Sequence, residues 1–245
     1  MPLRAMFRPI LDFALPPRCP ICGVTVETDN HFCLSCWQQL DFVAKPWCAA
    51  CGLPLVFDHP GENLCAKCLV DRPAHDGVRA VVRYDDLSSL IAMRLKYGTR
   101  LGLAKLIAEQ LQKHVADHAD NAILVPVPLH RSRLWRRGFN QSVLIGREIA
   151  RSSGIALDHD VIIRSKVTPP LRGMSGQQRR KTVDRAFALR PEAQQILAGK
   201  SVLLVDDVYT SGSTSNACAR LLKKAGANQV LVFCWARVIG NSENI

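Results

Sequence analysis

Hydrophobic and polar positions follow two different periods along the last two thirds of the chain. Short apolar runs of strand length are separated by segments whose apolar residues recur at helical spacing. The predicted strands are 79–84, 122–127, 161–163, 202–205 and 229–235, and the predicted helices are 87–97, 101–118, 138–151 and 213–225. Strands that alternate with helices predict an α/β fold, in which a parallel sheet carries helices on both faces.

The first 76 residues follow a different pattern. Apolar residues of the segment 1–18 fall on one helical face, which predicts a short amphipathic helix that packs on the protein; membrane attachment is the alternative. A cysteine-rich module is predicted over 19–72, and the α/β domain over 77–240. No apolar run reaches the length of a membrane span, and no cleavage site follows the first helix, so we expect a cytoplasmic protein without stable membrane insertion.

Eight of the ten cysteines form four Cys-x-x-Cys pairs separated by short gaps. They are Cys19, Cys22, Cys33, Cys36, Cys48, Cys51, Cys65 and Cys68. Each pair offers two thiolates at a bite that suits tetrahedral Zn²⁺, and two pairs complete one site. The pattern therefore predicts two structural zinc sites. A disulfide framework is the alternative, but the regular spacing and the missing secretion signal favour a metal.

Two pairings of these cysteines remain open at this point. A sequential pairing gives two stacked zinc ribbons, and an interleaved pairing gives a cross-brace. The gaps are short and similar, so closing neighbouring pairs costs less loop entropy and favours the sequential arrangement. We expect chelation to unfold the segment 19–68 and to leave the rest folded. His31, His59 and His75 are expected to be surface residues, because eight cysteines already suffice as ligands.

The strand 202–205 leads into the segment with the most chemical information. Asp206 and Asp207 follow it, and ligands of parallel sheets bind just past the carboxyl ends of strands. Adjacent carboxylates can accept hydrogen bonds from vicinal hydroxyls, while the loop Thr210–Thr214 and the next helix N-terminus can direct N–H groups at a phosphate. The order of these groups predicts a sugar phosphate site. The alternative is a turn with a hydroxyl cap and two solvated acids.

Residues 202–214 resemble the phosphoribosyl diphosphate (PRPP) motif of type I phosphoribosyltransferases. The resemblance implies that Asp206 and Asp207 are the catalytic pair that binds the ribose hydroxyls, and that Mg²⁺ bridges these hydroxyls and the diphosphate. The residues it implies around the 5′-phosphate are Thr210, Ser211, Gly212, Ser213 and Thr214. Tyr209 is grouped with these cofactor-binding residues, although a smaller residue is common at its position in the motif. The segment with Pro128 and His130 is similar in position to the pyrophosphate loop of those enzymes, and 164–180 to their closing loop.

The positive charge is concentrated near these segments. The chain carries +11, and residues 131–190 hold 14 basic and 4 acidic residues, a net +10. Such a block attracts polyanions, either nucleic acid or PRPP itself, although a solvated basic surface has the same composition. Arg136 and Arg137 are interpreted either as capturing phosphate or pyrophosphate at the start of the helix 138–151 or as a basic turn. Lys96 is expected only to balance the dipole of its helix.

Several short motifs occur in an order similar to that of the ComF/GntX family. They are the cysteine module, Leu95–Gly98, Pro126–Leu129, Arg136–Gln141 and the PRPP motif. The resemblance covers nearly the whole chain and implies a type I phosphoribosyltransferase fold and a link to DNA uptake in natural competence. Two functions follow: transfer of ribose 5-phosphate from PRPP to a nucleobase acceptor, or a non-catalytic PRPP sensor that binds single-stranded DNA or the competence machinery. For the transferase, the position of the cysteine module predicts that it acts as a hood.

Overall fold

The computed structural model describes residues 16–58, 60–98, 100–167, 178, 182–183 and 185–240. Most of the predicted N-terminal helix, His59 and the greater part of the predicted closing loop lie outside the described residues. Among the helices that the model does describe, none has the length and hydropathy needed to cross a membrane.

A parallel sheet forms the centre of the molecule. Its strands are β1 (Gly77–Arg83), β2 (Ala122–Pro126), β3 (Ala156–Leu157), β6 (Ser201–Tyr209) and β7 (Gln229–Arg237). They are arranged in the order β1-β7-β6-β2-β3, and every neighbouring pair is parallel. Two short strands, β4 (Ile162–Arg164) and β5 (Phe187–Leu189), pair antiparallel beside this sheet. The strand that carries the two acids is therefore the central one.

Helices cover both faces of the sheet, as predicted. Two short helices, α1 (Leu34–Gln38) and α2 (Ala66–Val70), lie in the cysteine module. The others are α3 (Asp86–Lys96), α4 (Leu103–Ala116), α5 (Arg131–Arg137), α6 (Gln141–Ser153), α7 (Ala193–Leu197) and α8 (Ser213–Lys224). Successive β6 residues alternate between two cores: Val202 and Leu204 pack in the core that contains α7 and α8 residues, and Leu203 and Val205 in the core of α3, α4 and α6. The α/β fold class is confirmed.

The helix predicted over 138–151 is found as α6, and a helix that was not predicted, α5, precedes it. The first, α5, ends at Arg137, and Gly138 follows it with φ +81°, a left-handed conformation that ends helices. The second, α6, begins at Gln141 and is capped by Asn140, whose side chain accepts a hydrogen bond from the Ser142 N–H. The expectation that Arg136 and Arg137 begin a helix is therefore wrong, because they lie in the last turn of α5.

The strand predicted over 202–205 continues for four more residues. The neighbouring strand β7 stays in register with β6 as far as Tyr209, which pairs with Arg237. Asp206 and Asp207 are therefore strand residues near the carboxyl edge of the sheet, not residues of the following loop.

The cysteine module is hydrogen-bonded to the edge of the sheet. Segment 41–43 runs antiparallel to β1, with Val43 N–H donating to Val81 O at 2.9 Å and Arg83 N–H donating to Asp41 O at 2.8 Å. This pairing covers an edge strand that would otherwise expose unpaired backbone groups. The module and the sheet therefore share one hydrogen-bonded edge.

Candidate functional site

Asp206 and Asp207 lie on β6 at the point where its neighbour β2 ends and its other neighbour, β7, continues. β2 pairs with β6 only as far as Pro126 opposite Val205, whereas β7 still pairs with β6 beyond Asp206. The end of β2 leaves a gap beside the acids at the carboxyl edge of the sheet, where ligands of such folds bind. Asp206 keeps a partly exposed edge, and Asp207 is 5% exposed.

The carboxylates have different surroundings. Asp206 Oδ1 accepts hydrogen bonds from the Asp207 N–H at 2.9 Å and from Ser142 Oγ at 3.4 Å. Asp207 Oδ1 accepts one from the Val208 N–H at 2.9 Å. Burial, followed by the nearby charge of Asp207, raises the pKa of Asp206 to about 7. Asp206 therefore titrates near neutral pH.

Lys96 is a site residue that the sequence reasoning missed. Its Nζ lies 2.7 Å from Asp207 Oδ2. Burial favours a lower pKa for Lys96, but the charge of Asp207 and the hydrogen bond to it outweigh burial and raise the pKa. A residue in the last turn of a helix that follows a strand has no local signal that places it at the ligand-binding edge. Only the packing of α3 brings this ammonium to the acids.

The 210–214 loop connects β6 to α8, and no side chain caps the N-terminus of α8. Gly212 is the N-cap residue with φ +73°, and no side chain hydrogen-bonds to the first turn of α8. In contrast, Asn140 caps α6. Ser211 Oγ and Ser213 Oγ lie 2.9 Å apart. Because the first N–H groups of a helix need acceptors, this turn can bind an anion such as a phosphate.

Two of the short motifs form one wall beside Lys96. Gly98 has φ +75°, and a Cβ at this position would lie 3.3 Å from Phe139 Cε1, so these two segments approach closely. The Arg137 guanidinium lies 5.9 Å from the Tyr97 ring centroid and donates to Gln141 Oε1 at 2.6 Å. The structure therefore brings Arg137 to the Leu95–Gly98 turn, whereas Arg136 is exposed.

The loop after β2 borders a cavity of about 610 Å³, lined by Pro128 and His130 together with α6 and β4 residues. His130 caps α5 by accepting a hydrogen bond from the Ser132 N–H at 3.1 Å. Asn140 Nδ2 donates to Val127 O at 3.0 Å and holds the loop against the start of α6. The two residues predicted for this loop thus lie together, and His130 also has a local structural role.

The eight cysteines form two clusters that follow the sequential pairing. The first Cys₄ site contains Cys19, Cys22, Cys33 and Cys36, and the second Cys₄ site contains Cys48, Cys51, Cys65 and Cys68. Within each cluster the sulfur atoms lie within 4.8 Å of one another. Four converging thiols fit the ligand set of structural zinc.

His75 is not a surface residue, contrary to expectation. It is 1% exposed, and its Nε2 lies 3.1 Å from Tyr209 Oη. Burial lowers the pKa of His75 to about 4, so the ring is neutral at physiological pH. The histidine follows the cysteine module and packs under the end of β6, and this contact over 134 residues has no sequence signal.

Comparison with known families agrees with both parts of the chain. A double zinc ribbon domain model matches residues 10–69, and a phosphoribosyl transferase domain model matches residues 140–240. The first match includes both Cys₄ sites. The second includes the whole of α6, β6 and α8, which carry the acids and the uncapped helix.

Relatives cover nearly the whole chain. Competence protein F of Haemophilus influenzae is 31% identical, over 90% of this chain and 96% of its own. The chain belongs to the ComF family. Within this family, DNA utilization protein YhgH of Escherichia coli O157:H7 is 30% identical over 90% of each chain. Competence protein ComFC of Bacillus subtilis is 27% identical over 86% of each. The sequence resemblance to the ComF family is therefore confirmed, together with a type I phosphoribosyltransferase-like fold and structural zinc.

Proposed function

We propose that this ComF-family chain binds PRPP at the β6–α8 turn and transfers its ribose 5-phosphate to a nitrogen acceptor, with release of pyrophosphate. The observation that supports this proposal most is the pair Asp206 and Asp207 on the central strand, followed directly by the uncapped N-terminus of α8. We connect this activity to DNA uptake or use, because the related proteins are named for competence and DNA utilization.

Each part of the site then has one role. Asp206 and Asp207 accept hydrogen bonds from the ribose hydroxyls, and the N–H groups of the 210–214 loop hold the 5′-phosphate. Pro128 and His130 lie in the loop that faces the pyrophosphate. The carboxylates suit a nearby cation, since Asp207 already holds the Lys96 ammonium at 2.7 Å. Bound Mg²⁺ would neutralise the charge of the diphosphate.

Calorimetric titration of the zinc-loaded protein with Mg²⁺ and PRPP tests the binding. We choose pH 8, because Asp206 is then ionised. The double variant Asp206→Asn and Asp207→Asn keeps the shape of both side chains and is expected to weaken binding at least a hundredfold. Asp117→Asn with Asp120→Asn makes the same charge change at two exposed positions after α4 and should leave the affinity unchanged. No heat with the wild-type protein contradicts the proposal.

Turnover needs a separate measurement. Pyrophosphate release from PRPP is followed with each common nucleobase, and release with one base supports transfer to that acceptor. The cavity of about 610 Å³ beside Pro128 and His130 has the size of small-molecule sites and gives room for a base next to this loop. Tight binding with no release for any base favours the adaptor described next.

A second candidate function is a PRPP-responsive adaptor that binds single-stranded DNA. The observation that favours it is Trp135, which is 89% exposed on α5 between Arg133 and Arg136. An exposed aromatic ring among arginines is a stacking platform for bases. Two other aromatic residues of the basic segment do not serve this purpose, because Phe187 is buried and Phe139 packs against Gly98.

Titration with oligothymidine at several salt concentrations tests this function. Trp135→Ala is expected to weaken binding about tenfold, since one stacked base contributes about 1–3 kcal/mol. Trp37→Ala, which removes an exposed indole from the cysteine module, is the matched control and should have little effect. DNA binding that survives the Asp206 and Asp207 changes indicates two separate sites, and no salt-dependent binding excludes the adaptor.

A further inference from the structure

The second Cys₄ site and the 210–214 loop face each other across a small cavity of about 240 Å³. Cys51 and Cys68 line one side of this cavity, and Thr210, Ser211 and Ser213 line the other. The cysteine module therefore reaches the side of the loop that the sugar phosphate proposal uses.

Arg237 connects the second Cys₄ site to the sheet. It is the last residue of β7 and only 3% exposed. Its Nε donates to Cys51 O at 2.7 Å, and its Nη2 donates to Cys51 Sγ at 3.2 Å. A buried guanidinium needs charged or polar partners, and a metal-bound thiolate with its carbonyl is such a partner. The loaded zinc site therefore holds the Arg237 side chain in one orientation.

Tyr209 continues the connection from Arg237 to the loop. Their Cα atoms are partners across β6 and β7, and the Arg237 guanidinium carbon lies 5.9 Å from the Tyr209 ring centroid. A Cβ at Gly212 would lie 2.3 Å from Tyr209 Oη, so the loop backbone rests directly on the phenol. The position of this ring therefore fixes how closely the loop folds over the end of β6.

We infer that the second Cys₄ site, acting through Arg237 and Tyr209, positions the 210–214 loop for PRPP binding. The inference rests on the proposed binding of PRPP and adds that zinc at this site raises the affinity for PRPP. Arg237 acts on the loop through Tyr209 and the cysteines, so it is a positioning residue. By reciprocity, bound PRPP must raise the zinc affinity of the second site by the same factor.

Substitution of Arg237 tests the connection. Arg237→Met keeps much of the side-chain volume and is expected to raise the Kd for PRPP at least tenfold, while elemental analysis still finds two zinc ions. Arg237→Lys should recover part of the affinity, because it restores a charged donor but not the guanidinium that donates two hydrogen bonds to Cys51. Arg79→Met removes another partly buried guanidinium, which stacks on Trp47 of the cysteine module, and should change the Kd less than threefold.

A measurement on the wild-type protein covers the case in which Arg237→Met does not fold. The fraction of second-site zinc retained against a fixed chelator concentration is measured with and without Mg²⁺ and PRPP. We expect saturating PRPP to shift the chelator midpoint at least threefold for the second site and not for the first. If the wild-type protein binds PRPP but neither the Arg237→Met affinity nor this midpoint changes, the inference is wrong. If the wild-type protein does not bind PRPP, the proposed function fails instead.

Discussion

The two Cys₄ sites have the same ligands and similar spacing, yet they occupy different environments. In the first site Cys22 is exposed and Cys33 is partly exposed, whereas all four cysteines of the second site are buried. The contacts of the first site with the sheet domain include Arg94, which donates to Pro20 O, and Arg100, which donates to Arg18 O. Equal sequence motifs therefore give one peripheral metal site and one that belongs to the interior.

The difference extends to the backbone that follows each site. Gly23 and Gly52 both have positive φ, at +80° and +68°. Gly23 faces open space, whereas a Cβ at Gly52 would lie 2.7 Å from Val78 O of β1. The turn at residues 48–52 is thus pressed against the sheet, and the turn at residues 19–23 is not. A metal-binding motif therefore predicts the ligand set but not which part of the protein the metal stabilises.

Loss of one ligand from each site should give the largest difference. Cys51→Ser is expected to lower the free energy of unfolding by about 4–5 kcal/mol, because it disturbs a buried site joined to β7. Cys22→Ser is expected to lower it by about 1–2 kcal/mol, because water reaches its exposed position. Denaturant unfolding with zinc analysis of each variant measures this. Equal losses would show that the two environments do not matter for stability.

The paired glycines give a finer comparison. Gly23→Ala is expected to cost about 1–2 kcal/mol, the strain of a left-handed alanine. Gly52→Ala must in addition displace the Val78 carbonyl, so we expect about 3 kcal/mol or more. Thermal unfolding of both variants, loaded with zinc, gives the two values. A Gly52→Ala variant as stable as Gly23→Ala would argue against tight packing of the turn at residues 48–52 on the sheet.

Release of the metals to a coloured chelator should occur in two phases. The first Cys₄ site is expected to lose zinc about ten times faster, because attack on the metal needs access to an exposed thiolate. Mass spectrometry of alkylated cysteines after the fast phase should find the label on Cys22 and Cys33. Labelling of Cys48 or Cys51 in that phase would reverse the assignment of the peripheral and interior sites.

The smallest effect on stability is expected for Arg94, which hydrogen-bonds to the backbone of the first Cys₄ site. Arg94→Met removes donors to a backbone carbonyl and should lower stability by about 1 kcal/mol, the usual value of such a hydrogen bond. The affinity for PRPP should stay the same, in contrast to Arg237→Met. Titration calorimetry checks this, and a matching loss of affinity would mean that both ribbons position the ligand site.

The sequence predicted the local parts of the candidate site well. The order of strand, acid pair, hydroxyl-rich loop and helix could be predicted, because these groups are neighbours in the chain. The residue types alone indicate their chemistry. The sequential zinc pairing followed from short loops in the same way. Lys96, His75 and Arg237 were missed, since each reaches its partner across a long separation and carries no local signal. Helix α5 was missed, and the start of α6 was predicted three residues too early, because Gly138 ends α5 instead of beginning a helix.

By itself the sequence determined the α/β fold class, the four Cys-x-x-Cys pairs, and the placement of Asp206 and Asp207 shortly before the N-terminus of a helix. These features depend on periodicity and on spacings of a few residues, for which the chain itself limits the alternatives. Only the tertiary structure decided that Lys96 faces Asp207 and that Arg237 contacts Cys51, 186 residues away. Such contacts arise when separate elements pack on the sheet, and burial then requires each charged group to meet whichever partner the packing supplies.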